Sequence, residues 1–108
     1  CTIDNNSKQI DGDLKDVLDM GCLKTKFEAF GWTVLNIENG NNLIEIETKL
    51  HEAKSLCFQG KPIIIIMKTE MGNGVDFMMG THKWHGVAPN DEQLESALNQ
   101  NPVTLGDY

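Results

Sequence analysis

The sequence predicts an α/β fold, a three-layer structure in which a parallel β-sheet is flanked by helices. Four consecutive isoleucines, Ile63–Ile66, form a β-branched run that is apolar at every position, which is typical of a strand buried on both faces. Strand patterns and helix patterns alternate along the chain, as parallel crossovers require. A loop of glycines and histidines follows the isoleucine run, at the strand end where parallel sheets bind ligands.

The first third of the chain contains a strand end followed by two helix patterns. Residues 2–3 have the composition of a strand, and the polar turn at residues 4–7 ends it. We expect a short helix within residues 14–20 and a second helix over residues 23–30. Gly31 is placed to end the second helix as a C-cap. The apolar face of that helix consists of Leu23, Phe27 and Phe30.

The middle of the chain predicts a second strand and a longer helix. Residues 32–37 are rich in β-forming side chains, and the Asn-Gly-Asn sequence at residues 39–41 predicts a turn. Asn42 is expected to cap the next helix, with Glu45 completing a capping box. The apolar stripe of this helix consists of Leu43, Ile46, Leu50, Ala53 and Cys57.

The last third predicts the isoleucine strand, a long loop and a short helix. Residues 60–62, Gly-Lys-Pro, end the preceding helix. The final helix begins at Asn90 or Asp91 and runs to about Leu98, and residues 101–108 are predicted to be irregular. A central strand of isoleucines needs neighbours on both sides and cover on both faces. We therefore expect part of that cover to come from further sequence or from a partner chain.

Composition and charge exclude some classes of function. The 108 residues predict a single domain, and the net charge of −7 comes from 16 acidic residues and nine lysines, with no arginine. An acidic surface repels a phosphate backbone, so we expect no nucleic-acid partner. No apolar run approaches the ~20 residues that cross a bilayer, and no signal peptide is visible, so we expect no membrane partner.

The three cysteines, Cys1, Cys22 and Cys57, predict a reducing, cytoplasmic location. Their number is odd and they lack Cys-x-x-Cys spacing, which argues against a structural zinc site. Cys57 lies at the end of the apolar helical stripe and is expected to be buried. Because the chain starts at Cys1, in mid-strand, we expect it to be a piece of a longer product.

Two motifs resemble the thiamine-diphosphate-binding half of transketolase. Residues 3–12, IDNNSKQIDG, resemble the later part of the cofactor motif of thiamine-diphosphate enzymes, which opens with Gly-Asp-Gly and closes at an asparagine. The second motif runs from residue 61 through the apolar strand and a Lys-Thr pair to a Gly-x-Gly loop, and then to WHGVAPNDEQ at residues 84–93. The resemblance covers residues 3–108, although residues 13–59 carry little signature.

The resemblance implies a partial thiamine-diphosphate-binding fold, with residues 1–108 as the C-terminal part of that domain, as in the N-terminal subunit of split transketolases. The implied function belongs to the pentose phosphate pathway: transfer of a two-carbon ketol unit from a ketose phosphate to an aldose phosphate. The Gly-Asp-Gly segment, the pyrimidine-binding domain with its glutamate and the sugar-phosphate arginines are not in these residues. The resemblance therefore implies an inactive isolated chain that works with other transketolase domains or a partner subunit, in a homodimer or heterotetramer.

The first motif carries the metal ligands that the resemblance implies. Asn6 would give its side-chain oxygen, and Lys8 its main-chain carbonyl, to the Mg²⁺ that holds the cofactor diphosphate. Magnesium binds such hard oxygens and shares its sites with phosphates. Taken without the resemblance, residues 4–7 are an ordinary polar turn. The implied site requires the turns after the first and last strands to converge.

The resemblance also assigns residues that contact thiamine diphosphate. Ile10 and Met71 would pack against the thiazolium side, although without the family they are a turn anchor and a loop methionine. Gly72 and Gly74 allow a tight turn or a close approach to a ligand, but a lone Gly-x-Gly is a weak signal. His85 is the implied catalytic residue, near the diphosphate and the donor hydroxyls, where an imidazole can exchange protons.

The remaining members of the histidine loop and the other histidine have structural interpretations. His82 is expected to be peripheral to the site, and Trp84 is expected to anchor the loop by packing. His51 lies within a helix pattern and is expected to be solvated. Without the resemblance, His85 would also be interpreted as a surface-loop histidine.

Three alternatives remain open at the level of sequence. Another family member, such as a deoxyxylulose-phosphate synthase-like or dihydroxyacetone synthase-like enzyme, shares the cofactor, but the motif at residues 84–93 favours transketolase. A non-catalytic α/β module or an interaction subunit is the second alternative. A flavodoxin-like nucleotide binder is the third, and it needs a phosphate loop after the first strand, which residues 4–12 do not resemble.

Overall fold

Residues 1–102, the part of the chain that the computed structural model describes, form a three-stranded parallel sheet, a two-stranded antiparallel hairpin and four helices. The elements in chain order are β1 (Thr2–Asn5), β2 (Lys8–Gln9), β3 (Gly12–Asp13), α1 (Leu14–Val17), α2 (Leu23–Ala29), β4 (Thr33–Ile37), α3 (Leu43–Ser55), β5 (Ile63–Lys68) and α4 (Asp91–Gln100). The predicted α/β class with a parallel sheet is confirmed. The hairpin of β2 and β3 was not predicted.

The isoleucine strand β5 is the central strand of the sheet. The strand order is β1-β5-β4, and both neighbours run parallel to β5. In this register Ile65 lies opposite Thr2 on one side and Leu35 on the other. Because the three strands are parallel, their carboxyl ends lie at one edge of the sheet, and the segments that follow them in the chain meet there.

The core of the domain forms around β5. Ile64, Ile65 and Ile66 are 0%, 4% and 8% exposed, and successive side chains of a strand point to opposite faces, so the predicted burial on both faces is confirmed. On one face Ile65 packs with Leu35 and Ile37, and α3 covers this cluster. Burial of each such side chain contributes ~1.5–3 kcal/mol to the free energy of unfolding.

Helix α3 packs through only part of the predicted stripe. The residues of α3 and its C-cap that pack against the core are Ile46, Ala53 and Leu56. In contrast, Leu43 is 79% exposed, Leu50 is 53% exposed and Cys57 is exposed. The predicted burial of Cys57 is wrong because Leu56, three positions after Ala53, takes the position that faces the sheet, and Cys57 lies beyond the end of the helix.

The helices α3 and α4 begin with different caps. The Asn42 side chain accepts hydrogen bonds from two N–H groups in the first turn of α3, at 2.9 and 3.4 Å, so this predicted N-cap is confirmed. The capping box predicted there is wrong, because the Glu45 carboxylate accepts a hydrogen bond from the Asn39 N–H at 3.1 Å instead. Helix α4 has the capping box, formed by Asn90 and Gln93.

Helix α2 ends within one residue of its predicted boundary, but Phe30 is not on its buried face. Leu23 and Phe27 are half-buried, and Phe27 packs edge-on against Trp32 with the ring centroids 5.6 Å apart. Phe30 is 82% exposed. It is the C-cap, where the chain leaves the helix, and helical spacing therefore no longer sets the direction of its side chain.

The remaining segments are short. The helix predicted within residues 14–20 is confirmed as the single turn of α1. Residues 101–102 of the predicted irregular tail have no regular secondary structure, and residues 103–108 lie outside the described residues. In the part of the chain that the structure describes, every helix is too short or too polar to cross a membrane.

Candidate functional site

The turn after β1 and the loop after β5 are joined at the carboxyl edge of the sheet. The Thr69 hydroxyl donates a hydrogen bond to the Asp4 carboxylate, and the Thr69 N–H donates to the Asn5 carbonyl at 3.4 Å. The turn after β4 reaches the same edge, because the Gly40 N–H donates to the Lys68 carbonyl at 2.7 Å. The predicted convergence of the turns after the first and last strands is confirmed.

Asn6 is held in a compact turn by its own side chain. Its Oδ1 accepts a hydrogen bond from the Lys8 N–H at 2.9 Å, which is the geometry of an Asx turn. Ser7 between them has a φ of 60°, and its carbonyl accepts from the Leu14 N–H at 2.9 Å. An amide oxygen has two lone pairs, so one lone pair of the Asn6 oxygen remains available for a further partner.

The donor chemistry of this turn fits a magnesium ion. Within residues 1–102 no group of three or more His, Cys, Asp or Glu side chains is clustered to hold a metal. A cation at this edge would therefore use amide and main-chain carbonyl oxygens, such as those of Asn6 and Lys8, together with oxygens from a ligand. Magnesium binds proteins in this way, with few protein ligands and with substrate phosphates.

The hairpin that follows Asn6 is closed by an ion pair that sequence reasoning missed. The Lys8 ammonium lies 2.5 Å from the Asp13 carboxylate, across the paired strands β2 and β3. The hydrogen bond from Lys8, and then its charge, lower the pKa of Asp13 below its ordinary value of 3.8, and the charges of Lys15 and His82 add to this effect.

The glycine loop after β5 folds tightly back on itself. Gly72 has a φ of 74°, and its carbonyl accepts a hydrogen bond from the Val75 N–H at 3.1 Å. A Cβ atom on Gly72 would come within 2.6 Å of the Met78 Cβ. Glycine at this position is therefore required by the packing of the loop itself. Met71, the residue before it, is half-buried.

Glu70 connects this loop to the rest of the edge. Its carboxylate accepts a hydrogen bond from the Gly80 N–H at 2.7 Å, and its own N–H donates to the Asn41 Oδ1 at 2.7 Å. The sequence alone assigned no role to Glu70. The signal that could have identified it is its position, directly after the strand and Thr69, where a side chain can bond loop amides.

Trp84 anchors the second half of the loop, as predicted. Its Nε1–H donates to the Phe77 carbonyl at 2.9 Å, and the two rings pack edge-on with centroids 5.2 Å apart. Both side chains are half-buried. These contacts fold residues 77–84 into one packed unit beside the histidines.

The three histidines have different surroundings. The His85 side chain is exposed. The main-chain N–H of His85 donates a hydrogen bond to the His82 main-chain carbonyl at 3.0 Å, which forms a turn. The His82 side chain is half-buried, and its position at the periphery of the site stays a prediction. His51 is an exposed residue of α3, 3.8 Å from the Glu47 carboxylate, and its predicted solvation is confirmed.

Two open clefts flank the turn that contains Asn6. Asn5 and Ser7 line both of them; the first extends over Lys8 and the second over Lys68. In the described part of the chain, the loop of residues 71–86 lines neither cleft. Ile10, at the hairpin turn, is 61% exposed. The structure thus brings the first motif and the base of the loop together, while Ile10 and His85 face solvent.

Comparison with known protein families identifies the chain. A family model described as the thiamine diphosphate binding domain of transketolase matches residues 1–103. The chain belongs to the transketolase family. The transketolase fold accordingly explains why the polar turn after β1 and the loop after β5 share one edge.

Transketolases and single subunits of split transketolases are among the relatives of the chain. It is 35% identical over 99 residues to an apulose-4-phosphate transketolase subunit of Phocaeicola vulgatus, and this match covers 91% of the chain and 34% of the relative. It is 38% identical over 90 residues to a transketolase of Staphylococcus epidermidis, covering 83% of the chain and 13% of that protein. The chain therefore spans about a third of the length of the first relative and a smaller share of the second.

Solved transketolase structures have the same fold. The crystal structure of transketolase from Campylobacter jejuni matches with a TM-score of 0.80 at 35% identity, covering 94% of this chain and 15% of that one. Transketolase from Leishmania mexicana matches with a TM-score of 0.79 at 28% identity, covering 92% of this chain and 14% of that one. The likeness in fold thus covers more than nine-tenths of this chain in both comparisons.

Proposed function

We propose that residues 1–108 form one domain unit, the C-terminal part of a thiamine-diphosphate-binding domain, in a transferase that moves a two-carbon ketol unit from a ketose phosphate to an aldose phosphate. The observation that carries this proposal is the join between the turn after β1 and the loop after β5, made by Thr69 and Asp4. In the proposed complex both segments would contact the same cofactor.

The turn after β1 would hold the metal. The free lone pair of the Asn6 amide and the main-chain carbonyl of Lys8 would bind Mg²⁺, and the diphosphate would supply further oxygens. The Asx turn supports this role, because the Asn6 side chain is already fixed before any ligand arrives. The ordering cost of binding is correspondingly small.

The apolar contacts of the cofactor would come from both segments. Ile10, which is 61% exposed, and Met71, at the first turn of the loop, would pack against the thiazolium side. A ligand that covers an exposed isoleucine removes apolar surface from water, and this burial stabilises the complex. Gly72 would allow the tight turn that lets Met71 make that contact.

His85 would bind an anionic oxygen or exchange a proton beside the cofactor. Its exposed imidazole would donate a hydrogen bond to an anionic oxygen, or take the proton of a donor-sugar hydroxyl. Bound thiamine diphosphate supplies the electron sink that the ketol transfer needs. The contribution of the chain would be to bind, orient and exchange protons.

Substrates and partners follow from the relatives. Some of them are named as subunits: two of apulose-4-phosphate transketolases, and one of a 6-deoxy-6-sulfo-D-fructose transketolase, which is 35% identical over 95 residues. We accordingly propose sugar-phosphate substrates and a homodimer or a heterotetramer that contains further transketolase domains. The chain carries no arginine for a sugar phosphate, so we propose that it is inactive alone.

We also propose a cytoplasmic location and a role in the pentose phosphate pathway. Cys1, Cys22 and Cys57 are all exposed and unbridged. Exposed thiols of this kind persist in a reducing compartment.

Calorimetry on the chain tests the proposed function. Thiamine diphosphate is titrated with and without Mg²⁺ into the wild type, into Asn6→Ala and into Asn39→Ala, which removes a different Asx contact, the 3.3 Å hydrogen bond to the Asn41 N–H. We expect Mg²⁺-dependent binding that Asn6→Ala weakens about tenfold to a hundredfold and Asn39→Ala leaves unchanged. A folded wild type that binds no cofactor with Mg²⁺ present contradicts the proposal.

A further inference from the structure

The end of helix α4 is bonded to the glycine loop. The Gln100 carboxamide exchanges two hydrogen bonds with Asp76: its Oε1 accepts from the Asp76 N–H at 2.8 Å, and its Nε2 donates to the Asp76 carboxylate at 2.9 Å. The next residue, Asn101, donates from Nδ2 to the Gly74 carbonyl at 3.1 Å. Two adjacent residues therefore bind two loop positions that are two residues apart.

Gly74 is shaped by this contact. It has a φ of 97°, and a Cβ atom there would come within 2.8 Å of the Asn101 Oδ1. The second glycine of the Gly-x-Gly sequence thus admits the Asn101 side chain, whereas the sequence suggested a turn or a ligand. Asn101 Nδ2 also donates to the Ala97 carbonyl at 3.1 Å, which fixes the carboxamide on the helix.

These hydrogen bonds join two points of the chain that lie on either side of the histidines in sequence. Gln100 lies 24 residues after Asp76, and Asn101 lies 27 residues after Gly74. The enclosed segment contains His82 and His85, and the tie between Glu70 and Gly80 does not span that histidine segment. The end of α4 is therefore a second support for the loop.

We propose that Gln100 and Asn101 are positioning residues that hold the loop in the arrangement in which Met71 and His85 meet thiamine diphosphate. This inference rests on the proposed function. The carboxamides do not touch the cofactor; they act through Asp76 and Gly74. A loop that is ordered for only a fraction of the time lowers the apparent affinity of its ligand by that fraction.

Gln100→Glu removes the donor without changing the shape of the side chain. It places a carboxylate against the Asp76 carboxylate, so the reciprocal pair is replaced by like-charge repulsion. The matched control is Asn99→Asp, which adds the same charge to the same turn of α4 at an exposed position. The double variant Asp76→Asn with Gln100→Glu removes the repulsion and allows an amide-to-carboxylate hydrogen bond.

Amide hydrogen exchange provides a measurement that is independent of the cofactor. In Gln100→Glu we expect the amides of residues 74–85 to exchange about tenfold faster, while the amides of β5 keep their wild-type rates. We also expect a higher dissociation constant for thiamine diphosphate with Mg²⁺, by a factor that equals the fall in the fraction of molecules whose loop is ordered. The double variant should recover part of both losses, and Asn99→Asp should show neither.

The outcomes separate this inference from the proposed function. Unchanged exchange in the loop, equal effects of Gln100→Glu and Asn99→Asp, or faster exchange in β5 as well would each overturn the positioning role. If Gln100→Glu loosens the loop but binds the cofactor as the wild type does, the inference is also wrong. Absence of binding by the wild type contradicts the proposed function, whereas the exchange rates alone decide whether Gln100 holds the loop.

Discussion

The Thr69 hydroxyl donates a hydrogen bond to the carboxylate of Asp4, 65 positions earlier in the chain. Asp4 belongs to β1, and Thr69 is the first residue after β5, the parallel strand beside it. This contact and the Asn5–Thr69 main-chain bond connect the two segments that would both contact the cofactor. The geometry of the candidate site therefore depends on a pair that is not itself part of the proposed ligand set.

Replacing Thr69 by valine tests this dependence. Thr69→Val keeps the β-branched shape and loses the donor, so we expect the free energy of unfolding to fall by about 1 kcal/mol. Urea denaturation measures it, and Thr2→Val, at an exposed position of β1, is the control. We also expect weaker binding of thiamine diphosphate. Equal unfolding free energies for Thr69→Val and the wild type would show that the hydrogen bond between Thr69 and Asp4 does not stabilise the fold.

Replacing His85 by alanine separates function from stability. The side chain is exposed, so His85→Ala should leave the free energy of unfolding within about 0.5 kcal/mol of the wild type. Because we propose a hydrogen bond to an anionic oxygen of the cofactor, calorimetry should show affinity for thiamine diphosphate weakened about tenfold. His51→Ala, at an exposed position on α3, is the control. Unchanged affinity in His85→Ala would exclude this histidine from cofactor contact.

Two glycines of the loop distinguish crowding from backbone strain. Gly72 and Gly80 have similar φ angles, 74° and 71°, but a Cβ would meet the Met78 Cβ at 2.6 Å only at Gly72, and nothing within 4 Å at Gly80. We expect Gly80→Ala to cost about 1 kcal/mol from strain, and Gly72→Ala to cost about 1–3 kcal/mol more from overpacking. Urea denaturation and loop exchange rates measure both. Equal costs would mean that Met78 moves aside freely.

The ion pair between Lys8 and Asp13 predicts a pH dependence. The hydrogen bond and charge of Lys8 lower the folded-state pKa of Asp13 below 3.8, so the pair stabilises the fold above that pH, and the stabilisation is lost as the pH falls through the folded-state pKa. Lys8→Met should therefore be less stable than the wild type at pH 7, and the difference should shrink at acid pH.

Urea denaturation across the pH range from neutral to acid measures this difference. The Asp13→Asn background supplies the control, because Lys8→Met should then have an effect that does not vary over the acid range. A wild-type minus Lys8→Met difference that is constant from neutral to acid pH would assign the effect to the packing of the Lys8 stem instead.

The sheet could be predicted from sequence because its signal is local and strong. Four isoleucines between a proline and a lysine at Ile63–Ile66 leave little choice other than a buried strand, and that strand is central. The face of α3 was predicted less well. Ile46 and Ala53 are correct, but helical spacing does not determine whether Leu56 or Cys57 follows them, since only the end of the helix decides.

The sheet edge at which the candidate site is proposed could be predicted, but the contacts within that edge could not. Asn6 was identified through its motif, and the edge of the sheet explains why the loop after β5 lies nearby. The partners of Gln100 and Lys8 depend on how the loop and the hairpin close in three dimensions. No periodic pattern encodes the contact between Gln100 and Asp76, because its 24-residue separation passes through irregular structure.

The strand order β1-β5-β4 also determines the sequence of events in folding. β4, α3 and β5 are consecutive in the chain and form a compact unit with short-range closure, whereas β1 pairs only with β5, more than 60 residues later. Long-range pairings of this kind form slowly, since the closure entropy is lost before the contact is gained. We therefore expect β1, the strand that precedes the turn of Asn6, to dock onto a preformed β4–α3–β5 unit, and the proposed metal affinity to emerge during refolding later than the helical signal does.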